Sequence, residues 1–568
     1  MKIPKQEIFL GNYDLAVEAR LNAWAEEDVA RRIWDRDATV WIPNPAEAAN
    51  TPELTNRLGW LTIPQEMRAE VATLTAFAAE VRDAGFKEVV LLGMGGSSLA
   101  PEVMMSIFGN APDYPVLSVL DSTNPEAVQL LADRLDMAHT LFLVASKSGG
   151  TVETMSFFKY FFHRVSEISD TPGDHFIAIT DPGSKLQSLA EEKGFRRIFS
   201  SPPEVGGRYS ALTYFGLVPA ALIGVNMDKL LKHAMAMVDA CDESVSALKN
   251  PALILGAALG ELALAARDKL TFLASPAIAP FSVWAEQLIA ESTGKRKTGI
   301  LPVANEPLTT PERYGSDRVF AYLRLAGDDN DLLDKEIESL KLAGHPVIEI
   351  TLNDRYDIAQ EFFRWELATA AAGAVLSINP FDQPNVEEAK VKARELMAAY
   401  QETGELPTDT PALVDDGVAV FGDAGEATSV AAALAHFEGL VASNNYIAIM
   451  AYVPPSTAMD AALTALQRTL RDKLGVAVTV GYGPRFLHST GQLHKGGNNK
   501  GLFLQITHQP AVDVPVPGEA YTFGVLIAAQ AQGDFQALQA RGRHVLRLHF
   551  TTDVLEGVSA LAEMAAHE

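Results

Sequence analysis

Four short apolar runs lie between residues 87 and 181, and segments long enough for helices separate them. The runs are 87–93, 114–121, 140–146 and 175–181. Strands that alternate with helices in this way form a parallel sheet with helices on both faces. The sequence therefore predicts an α/β protein. Similar apolar runs return after residue 270 and again after residue 445, so the same architecture is expected along the whole chain.

A chain of 568 residues is too long for one ordinary core, so more than one domain is expected. The element order predicts a helical N-terminal segment at 1–70, a first α/β domain at 71–225, a second at 226–401 and a C-terminal α/β region at 402–568. The polar residues at the start of the last region are predicted to form a linker. Each of the two later regions contains an apolar helix after a strand and a polar turn, which is consistent with an internal duplication.

Charge and cysteine content exclude several classes of function. The net charge of −26 opposes binding to nucleic acid or to anionic lipid. The single cysteine, Cys241, excludes an internal disulfide framework and a thiolate zinc cluster. Neither a membrane-spanning run nor a secretory signal is predicted, which favours the cytoplasm. A phosphate site in so acidic a chain has to be built locally from backbone N–H groups, hydroxyls and a few cations.

The first candidate site is the turn after the apolar run 87–93, which reads GMGGSSLAP. Glycines such as Gly96 let the backbone approach a ligand, and the helix that follows offers free N–H groups to an anion. The stretch lacks the third glycine of a dinucleotide fingerprint and the spacing of a Walker loop. An ordinary tight turn is an equally good interpretation of this stretch alone.

The second candidate is LVASKSGGTVET at 143–154. Ser146, Ser148 and Thr151 supply three hydroxyls, and the glycine pair between them lets N–H groups converge at a helix start. A single hydroxyl would suffice for a helix cap. Three hydroxyls with two glycines favour a nest for a phosphate monoester.

Two further stretches contain charged residues suited to proton transfer. Arg208 follows two glycines in EVGGRYSALT and could stabilise an oxyanion. Glu286 and Glu291 lie on a predicted helix in SVWAEQLIAESTGK, with Glu291 at its C-terminal end, where a carboxylate could serve as a base. Taken singly, a surface salt bridge and solvated glutamates are the ordinary interpretations.

The last two stretches are GYGPRFLHSTGQLHKGG and INPFDQPNVEEAK. The first contains His488 and His494, and imidazole is the natural acid or base near neutral pH. No carboxylate in that stretch completes a metal ligand set. The second places Lys390 early in a predicted helix. Singly, each of these three residues is also typical of an unremarkable loop or surface position.

Together the six stretches resemble the glucose-6-phosphate isomerase family, from about residue 70 to about residue 540. In detail they are most similar to the isomerase half of bacterial transaldolase–isomerase fusion proteins, here without the transaldolase. The resemblance implies two sugar-isomerase (SIS) domains with doubly wound parallel sheets, with a duplicated third domain as an extension. It implies no cofactor and no metal, a hexose 6-phosphate substrate and interconversion of glucose 6-phosphate and fructose 6-phosphate. The family is commonly dimeric, which makes a homodimer an assembly to test.

The resemblance also implies a role for each candidate residue. Glu291 is the base that moves a proton between C1 and C2, Arg208 stabilises the cis-enediolate, His494 opens the sugar ring, and Lys390 assists near the ring oxygen. The residues expected to bind substrate are Gly96 and Ser97 at the sugar and Ser146, Ser148, Thr151 and the backbone of Lys147 at the phosphate.

The sequence departs from the family pattern around the histidine. In most members the histidine follows the glutamate closely and the lysine lies near the C-terminus, whereas here the order is Glu291, Lys390 and then the histidine segment. The family histidine also follows a Gly-Gln pair directly, but here Leu493 stands between Gln492 and His494. His494 is therefore assigned by position, with His488 as the alternative.

Three other functions compete with this interpretation. A phosphosugar sensor would keep the phosphate loop but would not need the glutamate, the arginine or the histidine. A phosphomannose or dual-specificity isomerase would use the same loop and the same base. A nucleotide-dependent dehydrogenase is disfavoured because the dinucleotide fingerprint is incomplete.

Overall fold

The computed structural model describes residues 1–566, which contain sixteen β-strands. In chain order the strands are β1 (Lys5–Phe9), β2 (Glu88–Leu92), β3 (Val116–Leu120), β4 (Thr140–Ala145), β5 (Phe176–Thr180), β6 (Arg197–Ser200), β7 (Lys269–Ala274), β8 (Leu301–Val303), β9 (Arg318–Leu325), β10 (Val347–Leu352), β11 (Leu413–Asp415), β12 (Val418–Gly422), β13 (Tyr446–Tyr452), β14 (Ala477–Tyr482), β15 (Gly501–His508) and β16 (His544–Phe550).

The same residues contain twenty-one α-helices. They are α1 (Asp14–Glu26), α2 (Val29–Trp34), α3 (Pro45–Asn50), α4 (Ile63–Ala69), α5 (Val71–Asp83), α6 (Leu99–Phe108), α7 (Pro125–Arg134), α8 (Val152–Ser166), α9 (Lys185–Glu192), α10 (Tyr214–Leu222), α11 (Met227–Ala240), α12 (Pro251–Leu264), α13 (Phe281–Thr293), α14 (Asp331–Leu342), α15 (Ile358–Val375), α16 (Val386–Thr403), α17 (Val430–Gly439), α18 (Thr457–Leu474), α19 (Gly491–Gly496), α20 (Phe523–Ala540) and α21 (Val554–Ala566).

The chain divides into two compact units, each built from segments that are separated in sequence. Unit 1 comprises Met1–Asp121, Leu135–Asn305 and Arg318–Gln383. Unit 2 comprises Ser122–Arg134, Glu306–Asp317 and the residues from Pro384 onward. Helix α7 thus belongs to unit 2, although in chain order it comes between β3 and β4 of unit 1. The division after Gln383 falls inside the segment that was predicted to be a second domain.

Unit 1 contains two sheets. The first has the order β3-β2-β4-β5-β6, and all its strands are parallel. The second has the order β1-β10-β9-β7-β8, and its strands are parallel except for β1, which pairs antiparallel with β10. The N-terminal segment therefore contains a strand as well as helices. A cluster of buried apolar side chains extends over residues from both sheets and the helices of unit 1.

Unit 2 contains the third sheet, with the order β11-β12-β16-β15-β13-β14. Strands β13 to β16 are parallel, and the antiparallel pair β11 and β12 extends the sheet beyond β16. The unit has its own apolar core. In all three sheets the first parallel strand lies between the second and the third, and the fourth lies beyond the third. This shared order confirms the doubly wound α/β fold class and gives each sheet a point at which its strand order reverses.

Candidate active site

Arg208 joins several of the sequence motifs in unit 1. It lies in a short 3-10 turn, Gly207–Tyr209, and its side chain is buried. Its Nε donates to Ser292 Oγ (2.8 Å), and its Nη1 donates to Gln383 Oε1 (2.8 Å). Its Nη2 donates to the carbonyls of Pro380 (2.7 Å) and Asp382 (3.0 Å). A planar guanidinium with five fixed donors can satisfy so many acceptors at once, so its orientation is set by the surrounding chain.

Glu291 lies beside this guanidinium. It is in the last turn of α13 and is 8% exposed. Its Oε2 is 3.5 Å from Arg208 Nη1, and Gln287 Nε2 lies 3.4 Å from the same oxygen. The structure thus brings the predicted base and the predicted oxyanion-stabilising cation together. Glu286, the other glutamate of this helix, is half-buried.

The glycine-rich turn after β2 packs directly against the turn that contains Arg208. A Cβ atom added to Gly96 would lie 2.0 Å from the carbonyl oxygen of Gly207, so only glycine permits this approach. Ser210 Oγ also lies 3.4 Å from the carbonyl oxygen of Gly96. Ser97, next to Gly96, is half-buried. These contacts fix the backbone that positions the arginine.

Lys295 is a buried cation of this cluster that the sequence analysis did not single out. Its Nζ donates to the backbone carbonyl (2.5 Å) and to Oδ1 (2.7 Å) of Asp382, whose carbonyl also accepts from Arg208. Burial and the neighbouring Arg208 lower the pKa of Lys295 to about 7, and the Asp382 carboxylate opposes that change. Lys295 and Gln383 both lie in stretches that the sequence had already marked as candidates. Lys295 ends the ESTGK motif, and Gln383 lies in INPFDQPNVEEAK.

The predicted phosphate loop forms a compact turn between β4 and α8. Ser146 Oγ accepts from the N–H of Gly149 (3.2 Å) and lies 3.1 Å from Thr151 Oγ1. Ser148 Oγ accepts from the N–H of Gly150 (3.1 Å). Thr151 is the N-cap residue of α8, but its side chain makes no capping hydrogen bond. This hydroxyl therefore lies at the positive end of the helix, with Ser146 Oγ as its neighbour rather than a backbone N–H of the helix.

Lys147 of the same loop is paired with an acid. Its Nζ lies 2.7 Å from Asp181 Oδ1. Burial lowers the pKa of Lys147 and raises the pKa of Asp181, and the ion pair opposes both changes. Because the ammonium is occupied by this pair, the backbone of Lys147 is the part suited to an anion.

The two loops follow neighbouring strands. The glycine-rich turn comes after β2 and the phosphate loop comes after β4, and these strands pair in parallel where the order of the first sheet reverses. In α/β sheets, ligands bind outside the carboxyl ends of the strands at such a reversal. Both candidate loops therefore lie at the expected binding edge of their sheet.

The other predicted residues lie in unit 2. His494 is in the short helix α19 and is 3% exposed, and its ring centroid is 5.0 Å from that of Phe503. Its ring nitrogens are buried and make no hydrogen bond within the part of the chain that the structure describes. Burial lowers the pKa of His494 well below its usual value. His488 is half-buried.

Lys390 lies in the first half of α16, and its Nζ pairs with Glu387 at 3.2 Å. The start of this helix is tied to the histidine segment. Gln492 Oε1 accepts from the N–H of Asn385 (2.8 Å), and Gln492 Nε2 donates to Asn385 Oδ1 (2.8 Å). Two of the six motifs therefore contact each other in unit 2.

No helix within residues 1–566 is long and apolar enough to cross a membrane. No group of three or more histidine, cysteine or acidic side chains in the same range is arranged to hold a metal ion.

Comparison with known proteins identifies the family. A sequence profile for phosphoglucose isomerase matches residues 68–315. The glucose-6-phosphate isomerase of Carboxydothermus hydrogenoformans is 30% identical over 392 residues, which are 59% of this chain and 83% of that protein. A probable glucose-6-phosphate isomerase of Methanococcus maripaludis is 26% identical over 397 residues, 63% of this chain and 88% of the relative.

Solved structures show the same fold. A hypothetical protein of Thermus thermophilus superposes with a TM-score of 0.57 at 24% identity, covering 69% of this chain and 99% of its own. A glucose-6-phosphate isomerase of Chlamydia trachomatis superposes with a TM-score of 0.58 at 18% identity, covering 68% and 87%. From the identity and coverage of its relatives, the chain belongs to the glucose-6-phosphate isomerase family.

Proposed function

We propose that the chain interconverts glucose 6-phosphate and fructose 6-phosphate through a cis-enediolate. The observation that carries the proposal is the pairing of a buried carboxylate, Glu291, with a buried guanidinium, Arg208, which the chain fixes from several sides. Aldose–ketose isomerisation needs one carboxylate to move a proton and one cation to stabilise the oxygens of the enediolate. Membership of the family supports the same activity.

In this proposal, Glu291 removes the proton from one carbon of the C1–C2 pair and returns it to the other. The negative charge that develops on the substrate oxygens is stabilised by Arg208. Because hydrogen bonds to Ser292, Gln383 and two carbonyls already orient the guanidinium, little reorganisation is needed during the reaction. Lys295 neighbours this guanidinium and adds positive charge when it is protonated.

The phosphate is assigned to the loop of Ser146, Ser148 and Thr151 with the backbone of Lys147. Gly96 and Ser97 are assigned to the sugar. Binding energy from the phosphate, which does not react, positions the reacting carbons. The loop follows β4 and precedes α8, so the helix start adds favourable charge to its hydroxyl and N–H donors.

Ring opening is proposed for His494, with His488 as the alternative, and Lys390 is proposed to assist near the ring oxygen. The deep burial of His494 is unfavourable for contact with a sugar, whereas His488 is half-buried. Single His488→Asn and His494→Asn variants separate the two candidates. The variant that lacks the ring-opening group should lose turnover of glucose 6-phosphate but keep its affinity for 6-phosphogluconate, an acyclic acid with its phosphate at the same spacing that needs no ring opening.

The assay of function is a coupled measurement of glucose 6-phosphate formed from fructose 6-phosphate by the purified chain. Mannose 6-phosphate formation is followed in parallel, because the same base serves either sugar. Turnover to glucose 6-phosphate supports the proposal. Binding of hexose phosphate without turnover would overturn it and leave a phosphosugar sensor.

We also propose that the chain works in the cytoplasm and that it forms a homodimer. Sedimentation of the purified protein tests the homodimer.

A further inference from the structure

Unit 2 contains a cavity of about 240 Å³ that does not involve any residue discussed above. It lies at the carboxyl ends of parallel strands of the third sheet, and its lining includes Tyr452 of β13, Thr507 and His508 of β15, and Arg547 and His549 of β16. Strands β13 and β15 are the neighbours at which the order of that sheet reverses. This is the position at which α/β sheets bind ligands.

Arg547 is the feature of the cavity that the fold does not explain. Its Nε is buried, and within residues 1–566 its guanidinium makes no hydrogen bond or ion pair. Burial lowers the pKa of this group from its usual value, and the charge of Asp409 opposes that change. An arginine remains charged under such conditions, and a buried N–H that lacks both water and an acceptor is costly. An anionic partner from outside the chain would offset this cost.

Two aromatic rings hold the arginine in place. The guanidinium carbon of Arg547 is 5.0 Å from the ring centroid of Phe421 and 5.9 Å from that of Phe535. Such contacts occupy the face of the guanidinium and leave the N–H groups at its edge for another acceptor. The donor fork is therefore pre-organised, which reduces the entropy lost when an anion binds.

Among the titratable groups around the cavity, Arg547 is the one suited to pair with an anion. The Nδ1 of His549 lies 3.0 Å from Thr507 Oγ1. Burial lowers the pKa of His549 to about 4 and also lowers that of His508, so both are neutral near pH 7. Asp513 accepts hydrogen bonds from the N–H of the adjacent Val514, from the hydroxyl of Thr522 and from the N–H of Gly524 in the first turn of α20. That helix start is consequently already occupied by the chain's own acid.

We propose that this cavity binds a small organic oxyanion, a phosphate or a carboxylate, whose charged head pairs with Arg547 and whose remainder contacts an apolar wall. That wall is formed by residues of α20 and the two flanking loops: Val525, Ile527, Ala528, Leu406 and Pro510. The planar fork of an arginine matches two oxygens of either head group. The site is separate from the phosphate loop of unit 1 in residues and in sheet.

Calorimetric titration with inorganic phosphate and with benzoate tests the proposal, using wild type, Arg547→Met and Arg468→Met. Inorganic phosphate should also bind the proposed loop of unit 1, equally in all three proteins, so its isotherms are fitted to two sites and only the second site is compared. Arg468 is an exposed residue of α18, so its variant removes the same charge without touching the cavity. At least one probe should bind wild type and Arg468→Met equally, and Arg547→Met should bind it at least about tenfold more weakly. The probe that shows this dependence identifies the head group. Equal affinity for both variants, or no binding to wild type, would overturn the proposal.

A second measurement needs no variant and therefore does not depend on the folding of Arg547→Met. Wild-type protein is labelled with the arginine reagent phenylglyoxal, and modification of Arg547 is followed by peptide mass mapping with and without each probe. Protection of Arg547 but not of Arg468 supports the site. Equal labelling rates with and without both probes would contradict it. Both experiments measure occupancy rather than turnover, so their outcome is independent of the isomerase assay.

Discussion

The Nη1 atom of Arg208 lies 3.5 Å from the Oε2 atom of Glu291, and both side chains are almost completely buried in unit 1. The arginine is held by a hydroxyl, an amide oxygen and two carbonyls, so it does not depend on the glutamate for its position. A cation at this distance from the base is placed to stabilise negative charge that develops on a substrate oxygen during proton transfer. This relationship is the basis of the proposed chemistry.

The close contact between the two glycine turns predicts that Gly96→Ala loses activity. The added Cβ would lie 2.0 Å from the carbonyl oxygen of Gly207, so the turn that contains Arg208 has to move. A shift of about 1 Å in a catalytic group can reduce kcat about 10²-fold. Gly207→Ala is the matched control, because a Cβ at that position meets nothing within 4 Å. Similar kcat values for the two variants would contradict this explanation.

The unused cap position of α8 predicts that Thr151→Val weakens substrate binding with little loss of stability. The hydroxyl of Thr151 makes no capping hydrogen bond and pairs with Ser146 Oγ at 3.1 Å, so its loss should lower stability by no more than about 1 kcal/mol. Loss of one hydrogen bond to a phosphate should raise KM about tenfold. Ser456→Ala supplies the contrast, because Ser456 caps α18 through the N–H of Met459. That variant should lose about 1 kcal/mol of stability and keep its KM. An unchanged KM in Thr151→Val would count against the phosphate assignment.

The buried ammonium of Lys295 predicts how stability depends on pH. Its pKa is about 7 in the folded protein and 10.5 in the reference state, so the unfolded chain binds more protons between these values. The free energy of unfolding should therefore rise with pH from 7 toward 10.5 through this group. Urea unfolding of wild type and Lys295→Met at pH 7 and pH 9.5 measures the effect. The rise in wild type should exceed that in the variant by about 3 kcal/mol.

Lys335→Met provides the control for this measurement, because Lys335 is exposed on α14. Its pH dependence should match that of wild type. Equal slopes for wild type and Lys295→Met would show that the lysine is not held out of water in the folded protein.

The buried parallel strands could be predicted from the sequence because they are continuous apolar runs bounded by polar turns. β2, β4 and β5 are found where they were expected. β1 was not predicted, because its five residues, KQEIF, neither alternate nor form an apolar run, and they pair antiparallel at the edge of a sheet. The three-residue strand β8 is too short to leave a pattern.

The candidate site was predictable in its parts but not in its connections. The motifs identified Arg208 and Glu291. The hydrogen bond from Arg208 to Gln383, and the Asp382 carbonyl that Arg208 shares with Lys295, depend on tertiary contacts between distant stretches. The assignment of α7 to unit 2 is likewise a property of the folded chain. Neither leaves a periodic signal in the sequence.

The most direct test of the proposed chemistry compares Glu291→Gln with Glu286→Gln in the conversion of fructose 6-phosphate to glucose 6-phosphate. Glutamine keeps the size and hydrogen-bonding capacity of glutamate but cannot accept the proton. Glu291→Gln should lose about 10²-fold or more in kcat, whereas Glu286→Gln should retain nearly full activity. A folded Glu291→Gln variant with undiminished turnover would contradict the assignment of Glu291 as the base.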